Sequence, residues 1–107
     1  MNQKVTVVAR LHAQPEHVAR VRQELLRLLA LTRAEKGCIN YDMHESVSDP
    51  NDFLFYENWE SEQDLQNHLA APHLQRWLGM ADQFLAQPVE IKLWKRVEPS
   101  GEILSEA

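Results

Sequence analysis

One cysteine, three glycines and no excess of positive charge are the first constraints on this chain of 107 residues, and each shortage removes a class of answer. Cys38 alone cannot close an internal disulfide, which fits a reducing compartment and a small structural thiol near a strand start. The scarcity of glycine argues against low complexity and leaves no glycine-rich nucleotide-binding motif. Acidic residues outnumber basic ones 16 to 11, a net charge of -5, so the chain lacks the field that attracts phosphate backbones, and no nucleic-acid partner is expected. No apolar run reaches the length of a membrane span, and MNQKVTVVARLH opens without a charged-then-apolar leader. The expectation is a cytoplasmic protein with no membrane partner.

With no repeat, linker or block of like charge, the length suits one domain. It is expected over residues 1–97, followed by a loosely attached tail over 98–107. Val5, Val7, Ala9 and Leu11 alternate with Thr6, Val8, Arg10 and His12, a strand whose first set faces the core. Pro15 suits a helix start, and Val18, Val21, Leu25, Leu28, Leu29 and Thr32 recur at helical spacing before Gly37 offers a stop. Ile39, Tyr41 and Met43 then alternate with Asn40, Asp42 and His44, and SVSDPND supplies a turn. In the next strand Phe53, Phe55, Glu57 and Trp59 share one face.

Ser61 with Asp64 resembles a capping box, so a short helix carries Leu65, His68 and Leu69. Pro72 interrupts and restarts it, giving a stripe of Leu74, Trp77, Leu78, Ala81, Phe84 and Leu85. Pro88 opens a last strand, with Val89, Ile91 and Leu93 inward. The order β-α-β-β-α-β is that of ferredoxin-like α+β domains, with helices over one face of a four-stranded antiparallel sheet. The other face would expose Val8, Leu54, Tyr56 and Trp94 together, an apolar patch that a sheet-to-sheet homodimer would bury.

Glu57 is the one charge on its strand face, so it must find a partner or take up a proton. His68 on the following helix is the expected partner. Two readings stay open: a pair that only fixes strand to helix, or a carboxylate that orients His68 and raises its basicity. His73 after Pro72 could simply be solvated at a helix start, and His44 is expected at the interface. The five histidines show no pair four apart on one helix face, and His68 and His73, five apart across Pro72, make a poor chelating step. No metal is expected.

The stretches EKGCINYDMHES and FLFYENWESEQDLQNHLAAPHLQRW, on this order of elements, resemble the antibiotic biosynthesis monooxygenase family, in particular its small quinol monooxygenase-like members. The resemblance spans Lys4 to Val97, most specifically at Glu57-x-Trp59-x-Ser61 followed by His68 and Pro72-His73. It implies a dimeric α+β barrel, formed through the sheets, with a pocket in each protomer between sheet and helices. Members include oxygenases using no metal, flavin or haem, haem-degrading enzymes and an isomerase of a phosphorylated signal molecule, so the family does not fix a reaction. The haem-degrading members' Asn and His positions align here with Ala9 and Leu78, and their Trp position with His68. No haem turnover is expected.

A general base meets the need of cofactor-free oxygenation, since deprotonating a phenol or hydroquinone gives an anion that can itself reduce dioxygen. The expected site has His68 as base and Glu57 as its orienting carboxylate. Trp59, Tyr41, Phe55, His73 and Trp77 would contact a small aromatic substrate, with no cofactor and no metal. The alternatives are an isomerase or tautomerase on a small carbonyl compound using the same base, and a non-catalytic ligand-binding or stress-response module whose pocket holds a ligand or is packed shut.

Overall fold

The computed structural model describes residues 3–99, so most of the tail expected over 98–107 lies outside the described residues. Four strands, β1 (Val5–His12), β2 (Cys38–Glu45), β3 (Asp52–Trp59) and β4 (Glu90–Trp94), form one antiparallel sheet in the order β2-β3-β1-β4. A 3-10 turn (Pro15–His17) leads into α1 (Val18–Thr32), and α2 (Glu62–Leu69) and α3 (Pro72–Ala81) are separated at Pro72 as the sequence predicts. The α+β ferredoxin-like fold is therefore present.

Alternation places the core. Val7, Ala9 and Leu11 of β1 and Phe53, Phe55, Glu57 and Trp59 of β3 are buried on the face that receives the helices. Val21, Leu25, Leu28 and Thr32 of α1, Leu65 and His68 of α2, and Leu74, Trp77 and Ala81 of α3 close over them. The Ser61 hydroxyl accepts from the Asp64 backbone N–H at 3.1 Å and donates to the Asp64 carboxylate at 3.0 Å, which fixes where α2 begins.

Gly37 has φ +82°, and a Cβ there would collide with the Asp64 carboxylate, so only glycine lets the chain enter β2 against the capped start of α2. The helix itself stops earlier, at Thr32, and the intervening turn carries Glu35 inward.

Two expectations are corrected, one of facing and one of burial. Ile39, expected on the same strand face as Tyr41 and Met43, is exposed, because the pairing of β2 with β3 shifts register between Cys38 and Asn40. An irregularity of this kind breaks alternation locally. Ile39 instead borders Asn40, Tyr56 and Trp94 in a shallow concavity on the sheet's outer face. Ile91 and Leu93 pair with Ala9 and Val7 and so face the helix side as expected, but they remain about half exposed, since β4 is an edge strand at the margin of the single chain's core. Val89, just before β4, does pack partly against the core.

Candidate functional site

A narrow cavity lies between sheet and helices, lined by Tyr41, Phe55, Glu57, His68 and Trp77 with aliphatic side chains from β1, α1, α2, α3 and the start of β4. Its volume is about 30 Å³, room for about two waters, so an aromatic ring enters only if lining side chains move. Leu69, Leu78, Val89 and Ile91, the less buried members of the lining, are the candidates for that movement. Tyr41 stacks on Phe55 with ring centroids 4.6 Å apart, and burial pushes its phenol well above the usual range.

His68 is held differently from expectation. Its Nδ1 lies 2.8 Å from Glu35 Oε2, and His73 Nε2 lies 2.6 Å from the same oxygen. Glu35, from the turn after α1, is thus the carboxylate that orients His68, and no hydrogen bond joins His68 to Glu57. The partner expected from strand periodicity is corrected for a geometric reason: Glu57 Oε1 instead accepts from Trp59 Nε1 at 3.0 Å, its i+2 neighbour on the same strand face. His73, read from sequence either as solvated at a helix start or as a substrate contact, is drawn in to Glu35 and lies outside the cavity lining. Trp59 lies outside the cavity lining, stacked on His68 at 4.6 Å and 28°, with Tyr41 edge-on at 5.5 Å. The His68 ring is therefore fixed on three sides. Burial lowers its pKa below 6.5, against the raising effect of Glu35, which favours a neutral imidazole at neutral pH.

Glu57 is the second titratable group of the cavity, and burial pushes its carboxyl up to about 7, with the Trp59 N–H opposing and the Glu35 charge adding. The consequence for stability has a definite sign. Below about pH 4 the group is protonated in both states and is neutral to folding; as pH rises, the unfolded chain ionises first and native stability falls until Glu57 itself ionises near 7. The full loss is about 3 kcal/mol. Glu57→Gln, neutral at every pH and still able to accept from Trp59, should match wild type in urea denaturation near pH 4 and exceed it by about that amount near pH 8.5. Equal pH dependence of the two proteins would show that Glu57 is not perturbed.

Trp77 lines this cavity and also the floor of an open groove of about 290 Å³ between α1 and α3, where Glu24, Arg27, His73 and Arg76 lie. The Trp77 indole N–H has no hydrogen-bond partner. Cys38, half-buried, has its thiol pushed up to about 11 by burial, so it remains a thiol rather than a nucleophile. Two groups of side chains among the described residues bring metal-type ligand atoms within 4.8 Å of one another: Glu35, His68 and His73, and separately His12, Asp49 and Asp52. His68 and His73 thus converge although their spacing argued against it, because Pro72 restarts the chain as a separate helix. No helix among the described residues is long and apolar enough to cross a membrane.

Residues 4–79 match the sequence profile of the family described as antibiotic biosynthesis monooxygenase. An uncharacterized protein of Synechocystis sp. is 36% identical over 67 residues, 63% of this chain but 46% of that relative. The provisionally named monooxygenase Rv0793 of Mycobacterium tuberculosis is 31% identical over 91 residues, 85% of this chain and 89% of its own length. Its solved structure superposes with a TM-score of 0.85 at 26% identity, covering 92% of this chain and all of that one. The PA3566 structure from Pseudomonas aeruginosa also gives 0.85, at 32% identity, covering 92% of this chain and 98% of that one.

Proposed function

Because the chain belongs to the antibiotic biosynthesis monooxygenase family, we propose that it is a cofactor-independent monooxygenase that oxidises a small quinol or polyphenol with dioxygen. The observation that carries the reading is the buried His68, oriented by Glu35 on one side and facing a largely apolar cavity on the other, where burial favours its neutral form. With the Nδ1 proton donated to Glu35, the Nε2 lone pair is free to take a phenolic proton. The anion left behind supplies the electrons itself. In the simplest balance, a hydroquinone and dioxygen give a hydroxyquinone and water, one oxygen atom entering the ring carbon and the other leaving reduced. Tyr41, Phe55 and Trp77 would wall the ring, and Glu57, titrating near 7, could exchange a proton with a second hydroxyl.

The active form is proposed as a homodimer joined through the outer face of the sheet, where Tyr56 and Trp94 stand exposed beside Val8 and Leu54. One observation favours a second reading: a cavity of about 30 Å³ is small for a catalytic pocket and suits a module packed shut by its own side chains. An isomerase or tautomerase using the same base would need no oxygen.

Oxygen consumption by the chelator-treated protein over a panel of hydroquinones, corrected for autoxidation, separates these. Saturable uptake, with ¹⁸O from labelled dioxygen in the product, is expected. Proton exchange at carbon without oxygen uptake would replace the oxygenase by the isomerase. Absence of turnover and of ligand binding alike would favour the closed module.

A further inference from the structure

Glu35, His68 and His73 come from three separate elements, the turn before β2, α2 and α3, yet present one oxygen and two nitrogens within 4.8 Å of one another. We propose that these three side chains form a binding site for a divalent first-row transition metal, with Zn²⁺ as its natural probe, and that occupancy switches His68 off as a base. Two imidazoles and a carboxylate are the donor set such ions prefer.

The geometry is close to what coordination demands. Glu35 Oε2 is already 2.8 Å from His68 Nδ1 and 2.6 Å from His73 Nε2, while ligand atoms around one zinc stand about 3.0–3.4 Å apart. Moving Glu35 Oε2 about half an ångström away from each nitrogen brings both of its spacings into that range, and all three donor atoms already lie within 4.8 Å of one another. His68 needs no reorientation, because Trp59 and Tyr41 hold its ring where it is. His73 borders the open groove between α1 and α3, which gives a path from solvent and room for water as a further ligand. In that groove Arg76 is paired with Glu24 at 2.6 Å, which offsets part of the positive charge an entering cation would meet. The His12, Asp49 and Asp52 group is weaker, since Asp52 is already engaged by Arg10 through both oxygens.

The switch follows from imidazole chemistry. A neutral imidazole has one N–H and one lone pair. Without metal, Nδ1 carries the proton toward Glu35 and Nε2 holds the lone pair that serves as base. A metal takes the lone pair at Nδ1, so the proton must move to Nε2, which then has nothing with which to accept another. The same carboxylate oxygen that sets the base in one state helps to hold the metal in the other. This consequence rests on the oxygenase reading, but the metal site does not.

The test is titration of the chelator-treated full chain with Zn²⁺ by calorimetry, beside His73→Gln and Glu35→Gln, with long-range ¹H–¹⁵N spectra to read the His68 tautomer. One ion per chain is expected, weakened at least about 10-fold in each variant, with the His68 proton moving from Nδ1 to Nε2 on saturation. No saturable binding, binding undiminished in both variants, or an unprotonated Nε2 at saturation would overturn the site. These readouts need no turnover, so failure of the oxygenase reading leaves them valid, and failure of metal binding leaves the oxygenase reading untouched. In a preparation that consumes oxygen, saturating Zn²⁺ should stop uptake and a chelator restore it; uptake undiminished at saturation would overturn the switch.

Discussion

Replacing His68 with alanine should lower kcat for oxygen uptake by about 10²- to 10⁴-fold, the range a positioned general base supplies. The substitution removes the one neutral imidazole that both lines the cavity and is fixed from behind by a carboxylate. Because the side chain is buried against Trp59, some loss of stability comes with it, and activity must be read well below the melting temperature of the variant. Glu35→Gln is the companion measurement. It leaves the imidazole in place but removes the charge that favours the Nδ1–H tautomer, so a smaller loss, about 10- to 100-fold, is expected. Free imidazole added to His68→Ala should restore part of the rate if proton abstraction is what was lost. The acid limb of the wild-type profile should lie below 6.5, because burial lowers the His68 pKa. A folded His68→Ala protein with unchanged uptake would keep the reaction and remove His68 from it.

The way His68 is held marks the boundary of what periodicity can reveal. Strand alternation correctly put Glu57 inward among Phe53, Phe55 and Trp59, and helical spacing correctly put His68 beneath Leu65. Both residues do line one cavity. What spacing cannot supply is which polar atoms meet, because two inward residues on different elements may still point past one another. Glu57 satisfies itself locally with the Trp59 N–H, and His68 reaches Glu35, 33 residues earlier in the chain. Glu35 belongs to an irregular turn with no period to read. Its one signal was the neighbouring Gly37, whose positive φ brings that turn against the start of α2. The outward turn of Ile39 was hidden for a related reason: an irregularity of pairing is a property of two strands, while alternation is read along one. Single-chain exposure of Ile91 and Leu93 likewise follows from strand order, which sequence periodicity does not contain.

Val8→Asp should convert the proposed homodimer to a monomer, judged by sedimentation velocity of both proteins at micromolar concentration. Val8 lies on the central strand β1, paired with Tyr56 on one side and Lys92 on the other, on the sheet face away from the helices. In the single chain Val8 is half-buried on this face with access to water, so an aspartate there costs folding about 1 kcal/mol, chiefly through strand propensity. At a two-fold interface the substitution appears twice, and two carboxylates are taken out of water without designed partners. At about 3 kcal/mol each, association weakens by about 10⁴-fold. Part of that could be relieved by Lys92, opposite Val8 on β4, so Val8→Asp combined with Lys92→Ala should be the more severe variant. The polar side chains of the same face do not argue against an interface. Thr6 and Asn40 are bonded to Asn58 at 2.5 and 2.9 Å, so much of their hydrogen-bonding capacity is met before a partner arrives. The exposed indole of Trp94 and ring of Tyr56, by contrast, gain most from being covered. A wild-type protein that sediments as a monomer, or a Val8→Asp protein that remains a dimer, would move the interface off this face and leave Tyr56 and Trp94 as a surface for some other partner.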